Sequence, residues 1–236
     1  MKHMYYRNAV AAIAMSFQEP IIKTSRNFIT KNTGLLRLYI LAATLFIISN
    51  KLKAQQAVNS QSWQLNYTAY KNGKEIGWSK ISVSRSGNQV YIVADSKLDI
   101  QVLFTIEAKA HVTNRFLETT ITTLSAFRTV NGKVKLDNNL ENSNGTYVAL
   151  KGDLNQQLYK PIRNTVLSLY LNEPRSVKEV FSEVYMVYIP VNQISPSVYQ
   201  TPLPDGGTMT YYYSNSRLFR VIAKTFYGTV QFELNK

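Results

Sequence analysis

Residues 90–112 read VYIVADSKLDIQVLFTIEAKAHV. The even positions carry Val90, Ile92, Ala94, Ser96, Leu98, Ile100, Val102, Phe104, Ile106, Ala108, Ala110 and Val112, whereas Asp95, Lys97, Asp99, Gln101, Glu107, Lys109 and His111 stand on odd ones. Successive side chains of a strand point to opposite faces, so this pattern makes one apolar face and one wet face. The phase holds for 23 residues, against about six in an ordinary strand. Two arrangements satisfy it: two strands joined in phase near Lys97–Asp99, or one long strand bending around a core. Either requires a large, curved sheet.

The same alternation continues outward in both directions. Upstream, Trp63, Leu65, Tyr67 and Ala69 alternate with polar residues and run into Asn72-Gly73, the strongest short hairpin signal. A return run with Ile81 and Val83 ends at Ser86-Gly87-Asn88. Downstream, Asn131-Gly132, Asn144-Gly145, Asp205-Gly206-Gly207 and Ser214-Asn215-Ser216 keep the spacing of a meander, and Val230, Phe232 and Leu234 share one face of a last strand. One segment has another period: Ile162, Val166, Leu169 and Tyr170 lie at i, i+4, i+7 and i+8, with Pro161 at the start and Pro174 as the stop. It predicts one short amphipathic helix over 161–173, placed to plug or cover the concave face. The predicted fold is mainly β, a single large curved antiparallel sheet, half-barrel or barrel-like meander, with one short helix.

Composition agrees with this. The 236 residues are 45% hydrophobic, 17% charged and 12% aromatic, with 16 Tyr, enough to bury a core and rich in strand formers. Cysteine is absent, which excludes thiol catalysis, Cys-ligated zinc, iron-sulfur clusters, disulfides and a lipid-modified cysteine.

Leu38–Ser49 (LYILAATLFIIS) is the one uninterrupted apolar run. It is short for a transmembrane helix, which takes roughly 20 apolar residues, and suits the core of a secretory signal. The expected cleavage lies between Ala54 and Gln55. Residues 1–54 are then a leader and 55–236 a single β-rich domain, extracytoplasmic, periplasmic or secreted; an uncleaved N-terminal anchor is the alternative. Because residues 1–34 make an unusually long lead-in, translation is expected to begin at Leu35 or Leu36. The formal charge of +13 divides accordingly: residues 1–54 hold 8 basic residues and one acid, leaving 19 against 13 for the remainder. That modest, scattered excess lacks the dense basic patch of a nucleic-acid binder. It suits weak attraction to envelope surfaces or polysaccharides.

Chemistry is sparse. His111, the one histidine after the leader, falls on the polar parity, which makes it a solvent-facing strand residue. There is no nucleophile elbow, Walker loop or dinucleotide fingerprint. Asp95 with Asp99, and Glu179 with Glu183, are the carboxylate pairs a glycan hydrolase would need; exposed strand acids facing Lys97 or Lys178 explain them with less. No catalytic residue, cofactor or metal ligand is assigned. In Tyr211-Tyr212-Tyr213, one face must carry Tyr212 and the other its neighbours.

The chain resembles an uncharacterised family of bacterial exported proteins, domain of unknown function 6134, over about residues 62–236. The resemblance rests on Tyr67 followed by Asn72-Gly73-Lys74-Glu75-Ile76-Gly77, on Glu173-Pro174 leading to Val180-Phe181-Ser182-Glu183, and on Pro204-Asp205-Gly206 followed by tyrosines. It implies export and a large antiparallel sheet, a half-barrel around a helix like the envelope proteins that carry lipoproteins. It lends no activity and no catalytic residues.

Three functions are open on these grounds. The first is an exported, non-catalytic envelope protein whose curved sheet holds a lipid or other apolar ligand, with Val102, Phe104 and Ile106 lining the concavity, or an envelope partner. The second is a structural or interaction module with a solid core. The third is a glycan-acting hydrolase with paired carboxylates. Nucleic acid is not an expected partner, and contact with a membrane is expected only through the leader.

Overall fold

The computed structural model describes residues 60–101, 105–151, 154–226 and 228–236. The leader with its apolar run 38–49 and the expected cleavage at Ala54 and Gln55 lie outside the described residues, as do Val102 and Phe104.

The first half of the chain is a run of long hairpins: β1 (Ser60–Lys71), β2 (Lys74–Ser86), β3 (Gln89–Gln101), β4 (Thr105–Leu117), β5 (Thr120–Val130), β6 (Lys133–Ser143), β7 (Thr146–Lys151) and β8 (Leu154–Leu158). An irregular segment follows. It contains a single 3-10 turn (Leu167–Tyr170) and a small hairpin of β9 (Glu179–Ser182) and β10 (Val187–Pro190). The chain then returns to the sheet in β11 (Asn192–Ser195), β12 (Val198–Pro202), β13 (Thr208–Ser214), β14 (Arg217–Thr225) and β15 (Gly228–Leu234). Asn72-Gly73, Asn131-Gly132 and Asn144-Gly145 make the tight reversals between strands, with positive φ at both residues of each pair, the two-residue geometry that matches strand twist.

Among the described residues, thirteen strands form one antiparallel sheet in the order β11-β12-β13-β14-β15-β1-β2-β3-β4-β5-β6-β7-β8, with β9 and β10 apart. The sheet is not closed. The join that unites its halves is the pairing of the last strand with the first, Tyr67 opposite Leu234 and Tyr70 opposite Gln231. The in-phase stretch resolves as two strands, but β3 runs straight through Lys97–Asp99 to Gln101. The β3–β4 ladder is unbroken there, and the charges it carries suit that course. Lys97 faces Lys109 and Asp99 faces Glu107 across the strands, a poor arrangement by itself. The ammonium of Lys97 reaches both Asp99 and Glu107 at 3.2 Å, and Lys109 reaches Glu107 at 2.8 Å. The charges neutralise along the strand and along the diagonal.

One glycine in this ladder is dictated by contact. Gly77 lies beside a register shift in the β1–β2 pair and opposite Leu98 of β3. Its φ is +149°, and a Cβ built there would stand 2.0 Å from the Lys97 carbonyl oxygen. No other residue lets the two backbones approach so closely.

The predicted helix over 161–173 is reduced to one turn. Its backbone is engaged elsewhere: Ile162 O accepts from Ile121 N at 2.9 Å, Asn164 O from Phe181 N at 2.8 Å, and Val166 N donates to Phe181 O at 3.1 Å. The β-branched Thr165, which bridges to Phe181, favours this extended course. The Thr165 hydroxyl, accepting from Ser168 N at 3.2 Å, starts the short turn.

The segment from Pro161 to Val191 fills the concavity of the sheet. Ile162, Leu167, Phe181 and Met186 pack with Tyr67, Ile81, Ile92, Phe116, Leu124, Leu140 and Tyr147 from β1 to β7. Leu169, Val180, Ile189 and Val191 pack with Tyr199, Tyr211, Tyr213, Leu218 and Val221 from β12 to β14. Two arms distant in strand order thus meet one plug. Tyr185 lies between them, its carbonyl accepting from Lys151 at the end of β7 (3.5 Å) and its hydroxyl donating to Asp205 in the β12–β13 turn (2.5 Å).

Candidate functional site

Polar atoms hold the plug in register. Burying a carbonyl or amide without a partner is costly, and the irregular backbone of the plug offers many. Sheet side chains meet them: Tyr213 OH donates to Leu169 O at 2.7 Å, Tyr147 OH accepts from Ile162 N at 3.1 Å, and Asn138 Nδ2 donates to Glu183 O and Val184 O at 3.0 and 2.8 Å. Burial pushes the hydroxyls of Tyr170, Tyr211 and Tyr213 well above the ordinary tyrosine range, so they act as neutral donors or acceptors.

Glu183 sits inside this network, contrary to its expected place on a solvent face. It is 3% exposed. Its Oε1 accepts from Asn114 Nδ2 at 2.9 Å and from Leu167 N at 3.0 Å. Desolvation outweighs these bonds and raises its pKa. In the same cluster Asn114 Oδ1 is buried with no hydrogen-bond partner among the described residues. Alternation could not reveal this acid, because it falls just past the end of the short strand β9.

The plug occupies only one end of the sheet's interior. Along β3 the inward residues pass from fully buried Ile92 to partly exposed Leu98 and Ile100, and along β4 from buried Phe116 to partly exposed Ala108 and Ile106. At that second end a chamber of about 670 Å³ opens. One wall is Leu98, Ile100, Ile106 and Ala108, continued by Val130 of β5; the other is Ala223, Val230 and Phe232 of β14 and β15. Nine of its fourteen lining residues are apolar and none is acidic, so the interior suits hydrocarbon. Three lining residues are cations, Lys109, Arg128 and Lys135, all exposed; the Lys109 ammonium is held by Glu107 on the outer face.

Ile106 is therefore in the chamber wall. The second wall could not be read from the sequence, since β14 and β15 lie more than a hundred residues from β3 and β4 and reach them only through the β15–β1 pairing.

The candidate acids stand apart. Asp95 and His111 face one another across β3 and β4 on the outer face and pair at 2.7 Å. Asp99 and Glu107 belong to the lysine network on that same face, where the two lysines hold Glu107 below the usual carboxylate range. Glu179 pairs with Lys160 at the surface, while Glu183 turns inward. Among the described residues no group of three His, Asp or Glu gathers as a metal site, and no helix is long and apolar enough to cross a membrane. Of the tyrosine triplet, Tyr211 and Tyr213 are buried, and Tyr212 lies beside Phe219 with ring centroids 6.4 Å apart.

Fold and site define an open antiparallel β-sheet wrapped around a plug of its own chain, with an apolar chamber at the unplugged end. Residues 67–235 match the domain of unknown function DUF6134, and the chain belongs to that family. No curated protein matches it. Among solved structures it is similar to a β-barrel-like protein of the domain of unknown function DUF1849 from Brucella abortus, at 10% identity and a TM-score of 0.46, covering 76% of this chain and 96% of that one.

The residues behind the family resemblance have structural work near the plug. Glu173 accepts from Arg175 Nε at 3.1 Å, from Ser216 Oγ at 3.2 Å and from Tyr199 OH at 3.2 Å, tying the middle of the plug to strand β12 and to the β13–β14 turn. Asp205 accepts from Tyr185 OH and from Gly207 N (3.0 Å), which hold its carboxyl below the usual range. With Glu183, these make three of the motif acids anchors of the inserted segment.

Proposed function

We propose that the mature chain is an exported, non-catalytic envelope protein that holds an apolar ligand in the unplugged end of its curved sheet. The observation that carries this reading is the 670 Å³ chamber walled by Leu98, Ile100, Ile106, Val130, Val230 and Phe232. Its volume lies inside the range of about 300–1,000 Å³ common to small-molecule sites. Side chains on the inward face that could fill that volume are instead small or set back, as with Ser96, Ala108, Ala110 and Ala223. The chamber is open to solvent, so a hydrocarbon lying in it takes its apolar walls out of water, which is favourable. Export rests on the apolar run 38–49 and the small residue Ala54 ahead of Gln55; an envelope protein or polysaccharide is a further partner the basic balance would suit.

Native mass spectrometry of the protein purified from its own host tests the ligand. A retained lipid-sized mass that disappears on Ile106→Trp, which fills the chamber, is the expected result, and protein that is empty in every preparation overturns the reading. Export is tested by cell fractionation with N-terminal sequencing. Mature protein beginning at Gln55 outside the cytosol is expected; intact precursor in the cytosol overturns it.

A further inference from the structure

The charges around the chamber mouth narrow the ligand's chemistry, an inference that rests on the apolar-ligand reading. None of the lining residues is acidic, while three are cationic. Lys109 is already engaged by Glu107 at 2.8 Å. Arg128 and Lys135 form no ion pair among the described residues. Arg128 lies close enough to Asp205 to lower its pKa, without forming an ion pair with it; Asp205 accepts from Tyr185 OH and Gly207 N. A purely hydrocarbon ligand would seat itself between these two cations and shed their water without replacing it, which is unfavourable. A ligand with a negative head restores the lost interactions, and a guanidinium meets a carboxylate with two parallel hydrogen bonds.

We infer that the occupant is a single-chain amphiphile with a carboxylate head, a long-chain fatty acid, its alkyl chain among Leu98, Ile106 and Phe232 and its head at Arg128 and Lys135. The position of the two cations supports the polarity of insertion. Arg128 follows the buried Ala126 on the inward parity of β5, and Lys135 lies at a register shift between β5 and β6 that turns it toward the same mouth. Ser96, Ala110 and Arg128 stand level across β3, β4 and β5, and the apolar lining runs from there through Leu98, Ala108 and Val130 to Ile100 and Ile106 at the unplugged end. One chamber of this volume takes one small molecule rather than a membrane lipid with two long tails.

Three probes with the same twelve-carbon tail test the assignment by calorimetric titration of the full chain: dodecanoate, 1-dodecanol and dodecyltrimethylammonium. Dodecanoate should bind about tenfold tighter than the alcohol, as two partly exposed ion pairs allow, and the ammonium weakest. Arg128→Gln with Lys135→Gln should bring the acid-to-alcohol ratio to about one by weakening the acid about tenfold, and raised salt should weaken the acid more than the alcohol. Because both residues are exposed, the variant should keep its Tm. Equal affinity for the three heads overturns the headgroup inference and leaves the apolar site standing. Failure of all three, and of dilauroylphosphatidylglycerol as well, to bind overturns the apolar reading itself. Uptake of dilauroylphosphatidylglycerol from vesicles without binding of dodecanoate overturns the single-chain assignment.

Discussion

The two ends of the sheet's interior are built from the same strands and have opposite characters. At one end β3, β4 and β5 present Ile92, Phe116 and Leu124 to a plug that buries them almost completely. A few residues along, the same strands present Ile100, Ile106 and Val130 to an open chamber. The difference teaches that inward parity selects a face without deciding what covers it. Cover comes from the plug, and the plug reaches only as far as its polar anchors carry it.

Substitutions should separate the two ends. The largest effect is expected from Phe181→Ala, which empties a fully buried ring site that joins the plug to the sheet. It should cost about 3–5 kcal/mol, read as a fall in the urea midpoint; a loss under 1 kcal/mol would mean the plug is not a stability element. Gly77→Ala comes next, because it is the one change near the chamber that should behave like a core mutation. The added Cβ meets the Lys97 carbonyl, so about 1–3 kcal/mol should be lost, with hydrogen exchange accelerated along the β2–β3 ladder.

Glu183→Gln should act in the opposite direction and with a pH signature. The carboxyl's pKa is raised in the folded state, so the folded protein holds a proton that the unfolded chain releases above about 4.5, the ordinary glutamate value. Stability therefore falls as pH rises above that value. The amide keeps an acceptor oxygen and cannot ionise, so the variant should melt higher than the parent at neutral pH, with the gap closing toward pH 4. A gap constant with pH would show that burial does not govern this carboxyl. The smallest effect on stability belongs to Ile106→Ala, less than about 1 kcal/mol for a partly exposed wall residue, and its signature is weakened ligand retention in native mass spectra.

How much of this was legible follows from the physics of each element. Period-two alternation reports local face assignment, so the hairpins and the sheet's curvature were visible in residues 90–112 and at the Asn-Gly turns. Ile106 could be placed on the inner wall for the same reason. The helix over 161–173 was overstated because a 3.6-residue spacing of apolar side chains also occurs when an irregular segment packs both ways. There, Asn164 and Val166 give their backbones to Phe181. Glu183 looked like a surface acid because charge is normally exposed, and only its partners Asn114 and Leu167, from distant elements, make burial tolerable. Arg128 and Lys135 carry no local signal of a shared mouth; they are brought together by a register shift between β5 and β6.

The pairing of β15 with β1 sets an order on the molecule's formation. Synthesis delivers β1 first and Gly228–Leu234 last, so one side of β1 waits with open amides and carbonyls through nearly the whole emergence of the chain. Contacts of that sequence separation form slowly, and an unpaired strand edge invites strangers. The protein's most vulnerable moment is the interval before its final seven-residue strand arrives, and whatever shields the nascent chain must shield that margin of β1.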